Sequence, residues 1–210
     1  MYKIADLEHN MLIKNISNFP NTVYHGTITR HYESLSQGID ISKSNIKTDF
    51  GQGFYTTFSK EQAESFAETK AYDINSFERQ KAKAGGTPNF VNPLIIEYKV
   101  NKEKLKQLNG VFLDCKDDKW AEFVYNNRID NKLMKSDFHN KNGIFDYVFG
   151  DVADTKLFPA IKKYSRGLID FKQFQQEINP YKFADYNQLS FHTEEALNCL
   201  IKKSARIGGI

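Results

Sequence analysis

The apolar positions of this chain come in short runs. Some alternate with polar residues and others recur every three to four, so both strands and helices are expected. Pro20-Asn21 marks a turn ahead of a strand over 22–25. Residues 28–37 predict a short helix, with Gly38 as the residue that stops it. The polar stretch 42–48 reads as a loop leading into a glycine-flanked strand near 54–58. Ser59 and Gln62 form a capping-box pattern, and Ala63, Phe66, Ala67 and Ala71 then recur at helical spacing. Together they predict a helix from Lys60 to about Tyr72. A loop over 81–88 precedes a β-branched strand over 93–100, in which Glu97 and Lys99 hold the polar phase.

Further along, 102–108 predicts a short helix, 111–115 a strand, and 145–149 a compact buried strand stopped by Gly150. The segment 120–127 fits either strand or helix. As a helix it puts Trp120, Phe123, Val124 and Asn127 on one face and Glu122 on another. From Pro159 the pattern turns helical. Phe171, Phe174 and Ile178 form a core stripe, 186–191 adds a strand, and a last helix over 193–202 starts at Thr193. Strands and helices without regular alternation argue for an α+β fold over a doubly wound sheet. The expected organisation is a single domain over 1–210, with a helical C-terminal part from about 159.

Composition narrows the class. An aromatic content of 14%, with 17 Phe and 11 Tyr, predicts rings in both the core and a ligand cleft. The net charge of +3, from 29 basic and 26 acidic residues spread along the chain, does not argue for a nucleic-acid binder. Cys115 and Cys199 fit neither a zinc pattern nor a redox pair. Reduced thiols in a cytoplasmic protein are expected, with a lone disulfide as the alternative. The N-terminus carries early acidic residues and lacks the apolar segment of a secretory signal. No run approaches the roughly 18 apolar residues of a membrane span, so no membrane partner is expected.

Candidate chemistry sits in three segments. Val23-Tyr24-His25-Gly26-Thr27 and Asp49-Phe50-Gly51-Gln52-Gly53-Phe54-Tyr55-Thr56-Thr57 set His25 and Tyr55 beside glycines, where a ligand can approach the backbone. Lys119-Trp120-Ala121-Glu122-Phe123-Val124 supplies a carboxylate. If these converge, Gly26 offers backbone hydrogen bonds to a carboxamide, Tyr55 a stacking platform, and His25 and Glu122 partners for ribose hydroxyls. A carboxylate near that ribose would stabilise the positive charge that builds as a nicotinamide–ribose bond breaks. Glu122 is therefore the first choice for the catalytic residue. Gly51 and Gly53 do not have phosphate-loop spacing and otherwise read as a bulge or turn. Asp151 and Asp154 read as turn carboxylates, since a calcium loop needs more oxygen ligands. Arg128 offers a planar fork to phosphates, with a salt bridge as the equal alternative.

His, Tyr and Glu in that order, each on its own apolar segment, resemble the ADP-ribosyltransferase fold. Further matches are Asn127-Arg128, the run from Phe145 through Asp146-Tyr147-Val148-Phe149-Gly150-Asp151-Val152-Ala153 to Asp154, and Gln188-Leu189-Ser190-Phe191-His192-Thr193 with Ala196-Leu197. On these the chain is similar to a bacterial family of unknown function within the ADP-ribosyltransferase-like group. The resemblance implies a split, mostly antiparallel β core with surrounding helices. It implies NAD as co-substrate, His25 on the ribose, Tyr55 on nicotinamide and Glu122 as the catalytic residue, with Gly26, Thr27, Gly53 and Arg128 completing the cofactor set and no metal. The acceptor would be a protein or a nucleic acid. Arginine-modifying members carry Glu or Gln where this chain has Trp120, which counts against an arginine acceptor. A toxin–antitoxin or phage-conflict setting, with an antitoxin partner, is also implied. Two rivals stand beside it. One is a metal-independent ribonuclease using His25, His192 and Glu122; the other is an inactive module that binds NAD or a partner.

Overall fold

The computed structural model describes residues 16–153, 157–179 and 186–208. The chain forms two compact units. The larger contains Ile41–Tyr55, Lys102–Cys199 and the described residues up to Phe19; the smaller contains Pro20–Asp40, Thr56–Asn101 and the described residues after Cys199. Mixed strands and helices in two mostly antiparallel sheets give the α+β class expected from the sequence.

In the smaller unit, strands β1 (Thr22–Ile28), β3 (Pro93–Val100) and β7 (Leu200–Ile207) form a sheet in the order β1-β3-β7. β1 and β3 pair antiparallel from Thr22↔Lys99 to Ile28↔Pro93. β7 completes the other edge of β3 antiparallel, with an irregularity at Glu97/Tyr98. Between β1 and β3 lie a short helix, α1 (Tyr32–Gln37), and a long one, α2 (Lys60–Lys83). The Ser59 side chain accepts the Gln62 N–H and so caps α2. The Gln62 side-chain oxygen takes the Thr57 hydroxyl.

Helix α2 runs eleven residues past the expected end, Lys83 against Tyr72. Its buried stripe continues as Asn75 and Glu78, which are polar and so invisible to hydrophobic periodicity. Both are used to hold the loop ahead of β3. Asn75 donates to the Val91 carbonyl at 2.8 Å and accepts the Val91 N–H at 2.9 Å, and Glu78 accepts the Asn89 N–H at 2.9 Å. Phe66, expected on the buried stripe, is exposed instead.

The larger unit carries β2 (Phe54–Thr56), β4 (Gly110–Leu113), β5 (Tyr147–Asp151) and β6 (Asn187–Phe191) in the order β2-β6-β5-β4. β4 and β5 run parallel, and β5 and β6 antiparallel. Its helices are α3 (Lys102–Leu105), α4 (Asp118–Arg128), α5 (Leu157–Ser165), α6 (Phe171–Ile178) and α7 (Glu194–Leu197). The ambiguous segment around Trp120 is thus helical, capped by Asp117 accepting the Trp120 N–H at 2.9 Å. Trp120 itself is fully buried and donates its indole N–H to the Asp151 carbonyl at 3.0 Å. Phe174 and Ile178 of α6 are buried in the same core, as the stripe predicts. Gly150 lies inside β5 rather than ending it.

The last helix expected over 193–202 is cut to Glu194–Leu197, and Leu200–Ile207 is strand. Thr193 does cap it, accepting the Ala196 N–H at 3.3 Å. The correction has a physical cause. β3 is buried along most of its length, so its outward N–H and C=O groups need a partner strand, and that demand outweighs local helical pattern. Residues 159–210 are therefore mixed, holding two helices, a single-turn helix and two strands among the described residues.

Candidate functional site

His25, Gly26 and Thr27 lie on β1 in the smaller unit. Tyr24 and Thr57 form an isolated antiparallel bridge, the Tyr24 N–H donating to the Thr57 carbonyl at 2.8 Å and the Thr57 N–H to the Tyr24 carbonyl at 2.9 Å. Tyr24 thus turns its backbone groups away from β3. Gly26, two residues on, must point its N–H and C=O to the same edge. The other requirement on Gly26 is steric: a Cβ there would sit 2.1 Å from the Ala63 carbonyl oxygen of α2. The α2-facing side of β1 thus carries Tyr24 and Gly26, and His25 projects from the opposite side with Val23 and Thr27.

Gly53, Tyr55, Glu122 and Arg128 belong to the larger unit. Here the segment Asp49–Gly53 is held from several sides. The Tyr55 hydroxyl lies 2.7 Å from the Gly51 carbonyl and 2.8 Å from the Thr48 hydroxyl, and accepts the Phe50 N–H at 3.0 Å. Burial is the main reason its phenol holds its proton far above the ordinary value. Its ring lies near-parallel to Phe50 at 6.4 Å and meets His192 edge-on at 6.1 Å. Tyr55 therefore organises the loop that precedes it.

Asp49 is the loop's second anchor. Its Oδ1 accepts Arg128 Nη2 at 2.6 Å and Nε at 3.0 Å; its Oδ2 accepts Gln188 Nε2 at 3.1 Å and the Ala153 N–H at 3.3 Å. The remaining guanidine arm, Nη1, donates to the Lys47 carbonyl at 2.6 Å. Arg128 thus makes the salt bridge expected as the alternative to a phosphate contact, with its guanidinium over the Phe158 ring at 5.3 Å.

His192 is the third anchor. Its Nδ1 is 2.8 Å from the Gln52 carbonyl and its Nε2 is 2.8 Å from the Ser190 hydroxyl. A carbonyl accepts only, so Nδ1 carries the proton and Nε2 accepts from Ser190. Burial lowers the imidazole pKa to about 4, which keeps this neutral form. Gly53 lacks a side chain because a Cβ would lie 2.5 Å from His192 Nδ1. The Gln52 amide in turn donates to the Ile41 and Ser44 carbonyls, each at 3.2 Å.

Glu122 lies on α4, half-buried. The face of α4 turned to the glycine loop carries Phe123, whose ring is 6.1 Å from Phe50, and Asn127, against which a Cβ on Gly51 would press. Glu122 is rotated about 100° from Phe123 on the helix, and its charge acts on Tyr164 of α5, raising that phenol's pKa after burial has done so.

The sequence contained Asp49, Gln188, Ser190 and His192 within its matched motifs, but nothing in their spacing announced the contacts they make. Asp154, weighed as a turn carboxylate, lies outside the described residues. Both cysteines are free, Cys115 exposed and Cys199 buried. Among the described residues no helix is long and apolar enough to cross a membrane.

One protein family matches residues 22–201, most of the chain, and its description is "Protein of unknown function (DUF3990)". The chain belongs to the DUF3990 family. No curated protein and no solved structure matches it. The DUF3990 match spans both units and every candidate residue from His25 to Arg128.

Proposed function

We propose that this DUF3990 protein is an NAD-dependent ADP-ribosyltransferase that moves ADP-ribose to a macromolecular acceptor and releases nicotinamide. The observation that carries the reading is the edge of β1. Gly26 turns its backbone donor and acceptor away from β3, and a primary carboxamide can satisfy both at once. His25 immediately precedes it, with its ring on the other side of the strand, suited to a ribose hydroxyl. Thr27 continues the same strand.

The ADP-ribosyltransferase-like resemblance assigns nicotinamide stacking to Tyr55 and charge stabilisation to Glu122; Gly53 belongs to the segment that presents Tyr55. In this reading the glycosidic bond breaks with nicotinamide as leaving group, the carboxylate stabilises the oxocarbenium-like sugar, and an acceptor nucleophile takes the ribose carbon. No metal enters the step. A toxin role opposed by an antitoxin is the setting this resemblance suggests. The ribonuclease rival is weakened because His192 has both ring nitrogens engaged by Gln52 and Ser190.

The test is nicotinamide release from NAD by purified protein in cell lysate, comparing wild type with Glu122→Gln. Losing transition-state electrostatics costs on the order of a hundredfold or more in rate. Release that drops to that extent in Glu122→Gln supports the assignment. Release unchanged by Glu122→Gln removes Glu122 from catalysis, and the absence of both NAD binding and release defeats the reading.

A further inference from the structure

Helix α2 carries large rings that its buried stripe does not use, and two of them share a face. Phe66 and Phe77 leave 57% and 65% of their surface open to water. They are eleven residues apart, about three turns, so they lie within about 20° of each other around the helix and about 16 Å apart along it. Lys70 and Asp73 fall between them, each within about 40° of Phe66. These four positions make one narrow arc. It is turned about 110° from the arc of Ala63, Ala67, Ala71, Asn75 and Glu78, which is buried. Lys70 Nζ lies 5.9 Å from the Phe66 ring centroid. Burial holds the Lys70 ammonium below its ordinary value, and among the described residues neither Lys70 nor Asp73 makes an ion pair.

From either end the arc runs ring, charge, charge, ring, and the two charges are opposite in sign. A second copy laid antiparallel, with the two-fold axis between residues 71 and 72, sets Phe66 against Phe77 and Lys70 against Asp73, each pair twice. A parallel copy would set Lys70 on Lys70 and Asp73 on Asp73, which repels. The order of the four residues therefore selects one partner in one orientation. We propose that this protein self-associates as a two-fold dimer through the Phe66–Lys70–Asp73–Phe77 face of α2. The rings pack as two aromatic pairs, and they shield the two central ion pairs from water. One helix face from each copy puts the interface in the small class, below about 1,200 Å², so the dimer forms and dissociates with concentration. The inference stands on α2 alone and does not depend on the transferase reading.

The experiment is analytical ultracentrifugation of the full chain from micromolar to sub-millimolar concentration, where the average mass of the wild type rises from one copy towards two. Each substitution acts twice in a two-fold interface, so Phe66→Ala and Phe77→Ala each weaken association by roughly fivefold to a hundredfold. Lys70→Glu leaves only acidic groups at the centre and Asp73→Lys only basic ones, so each variant alone stays monomeric. Mixed in equal amounts, the two variants associate with each other, because every central pair again joins opposite charges. A role confined to the residue's own helix gives no such recovery. Tyr72→Ala is the control. Tyr72 is an equally exposed ring about 130° around the helix from this face, paired with Arg79 at 5.8 Å, and its loss leaves association unchanged. Circular dichroism verifies that each variant is folded. A wild type that stays monomeric at every concentration overturns the proposal. So does association indifferent to Phe66→Ala and Phe77→Ala, or a pair of charge variants that fails to associate when mixed.

Discussion

In the smaller unit α2 meets the sheet through Ala63 and Ala67 against Ile95 and Tyr24, with Ala71 beside Ile28 and Val91. The core of the larger unit is instead built from Phe50, Trp120, Phe123, Tyr125 and Phe174. Small residues let two backbones approach until Gly26 has no room for a methyl group. Large rings hold elements apart and fill the space themselves, as where Tyr125 meets Tyr164 at 4.9 Å and Phe174 at 5.5 Å. The two packings therefore fail in opposite directions. One is damaged by added atoms and the other by removed ones.

The sharpest way to break this comparison is Phe123→Ala. Phe123 packs with Phe50, Phe138 and Phe145, and truncation should cost about 3–5 kcal/mol through lost burial and a cavity. Urea unfolding followed by Trp120 fluorescence checks it; a loss below about 1 kcal/mol would mean the rings do not carry this core.

Acid should strike the larger unit through His192. Its folded pKa of about 4 lies below the unfolded value of about 6.5, so the unfolded chain takes up the proton first. The contribution is intact above about pH 6.5 and is lost as pH falls through about 4. The span corresponds to roughly 3 kcal/mol. In His192→Gln the stability–pH curve should be flatter across that window; an unchanged acid limb would point to other groups.

Gly26→Ala tests the opposite packing. The added methyl meets main chain rather than a movable side chain, so a loss of about 1–3 kcal/mol is expected in thermal or urea unfolding. A neutral outcome would show that α2 can move away from β1. Smaller still is the cap of α4: Asp117→Ala removes the acceptor for the Trp120 N–H and should cost about 1 kcal/mol in the same assay.

The candidate site was legible to different depths. The strand bearing His25 and the glycine-rich segment bearing Tyr55 could be placed because glycine, β-branching and turn residues act locally. Glu122 could not, since Trp120, Phe123 and Val124 satisfy two periodicities over so short a run. The roles of Asp49, Gln188 and His192 were not legible at all. Asp49 meets Gln188 across 139 residues of chain and Gln52 meets His192 across 140, and no local rule carries information over such a distance.

By itself the sequence determined the α+β class, strand β3, helix α6 and the start of α2, because each rests on propensity, capping and periodicity within a few turns. Tertiary structure decided the rest. It made 200–207 a strand because the open edge of β3 had to be paired. It carried α2 on to Lys83 because Asn75 and Glu78 found backbone partners in the loop before β3. Local chemistry fixes what a segment prefers; which groups then share one space depends on packing between segments that the order of residues keeps apart.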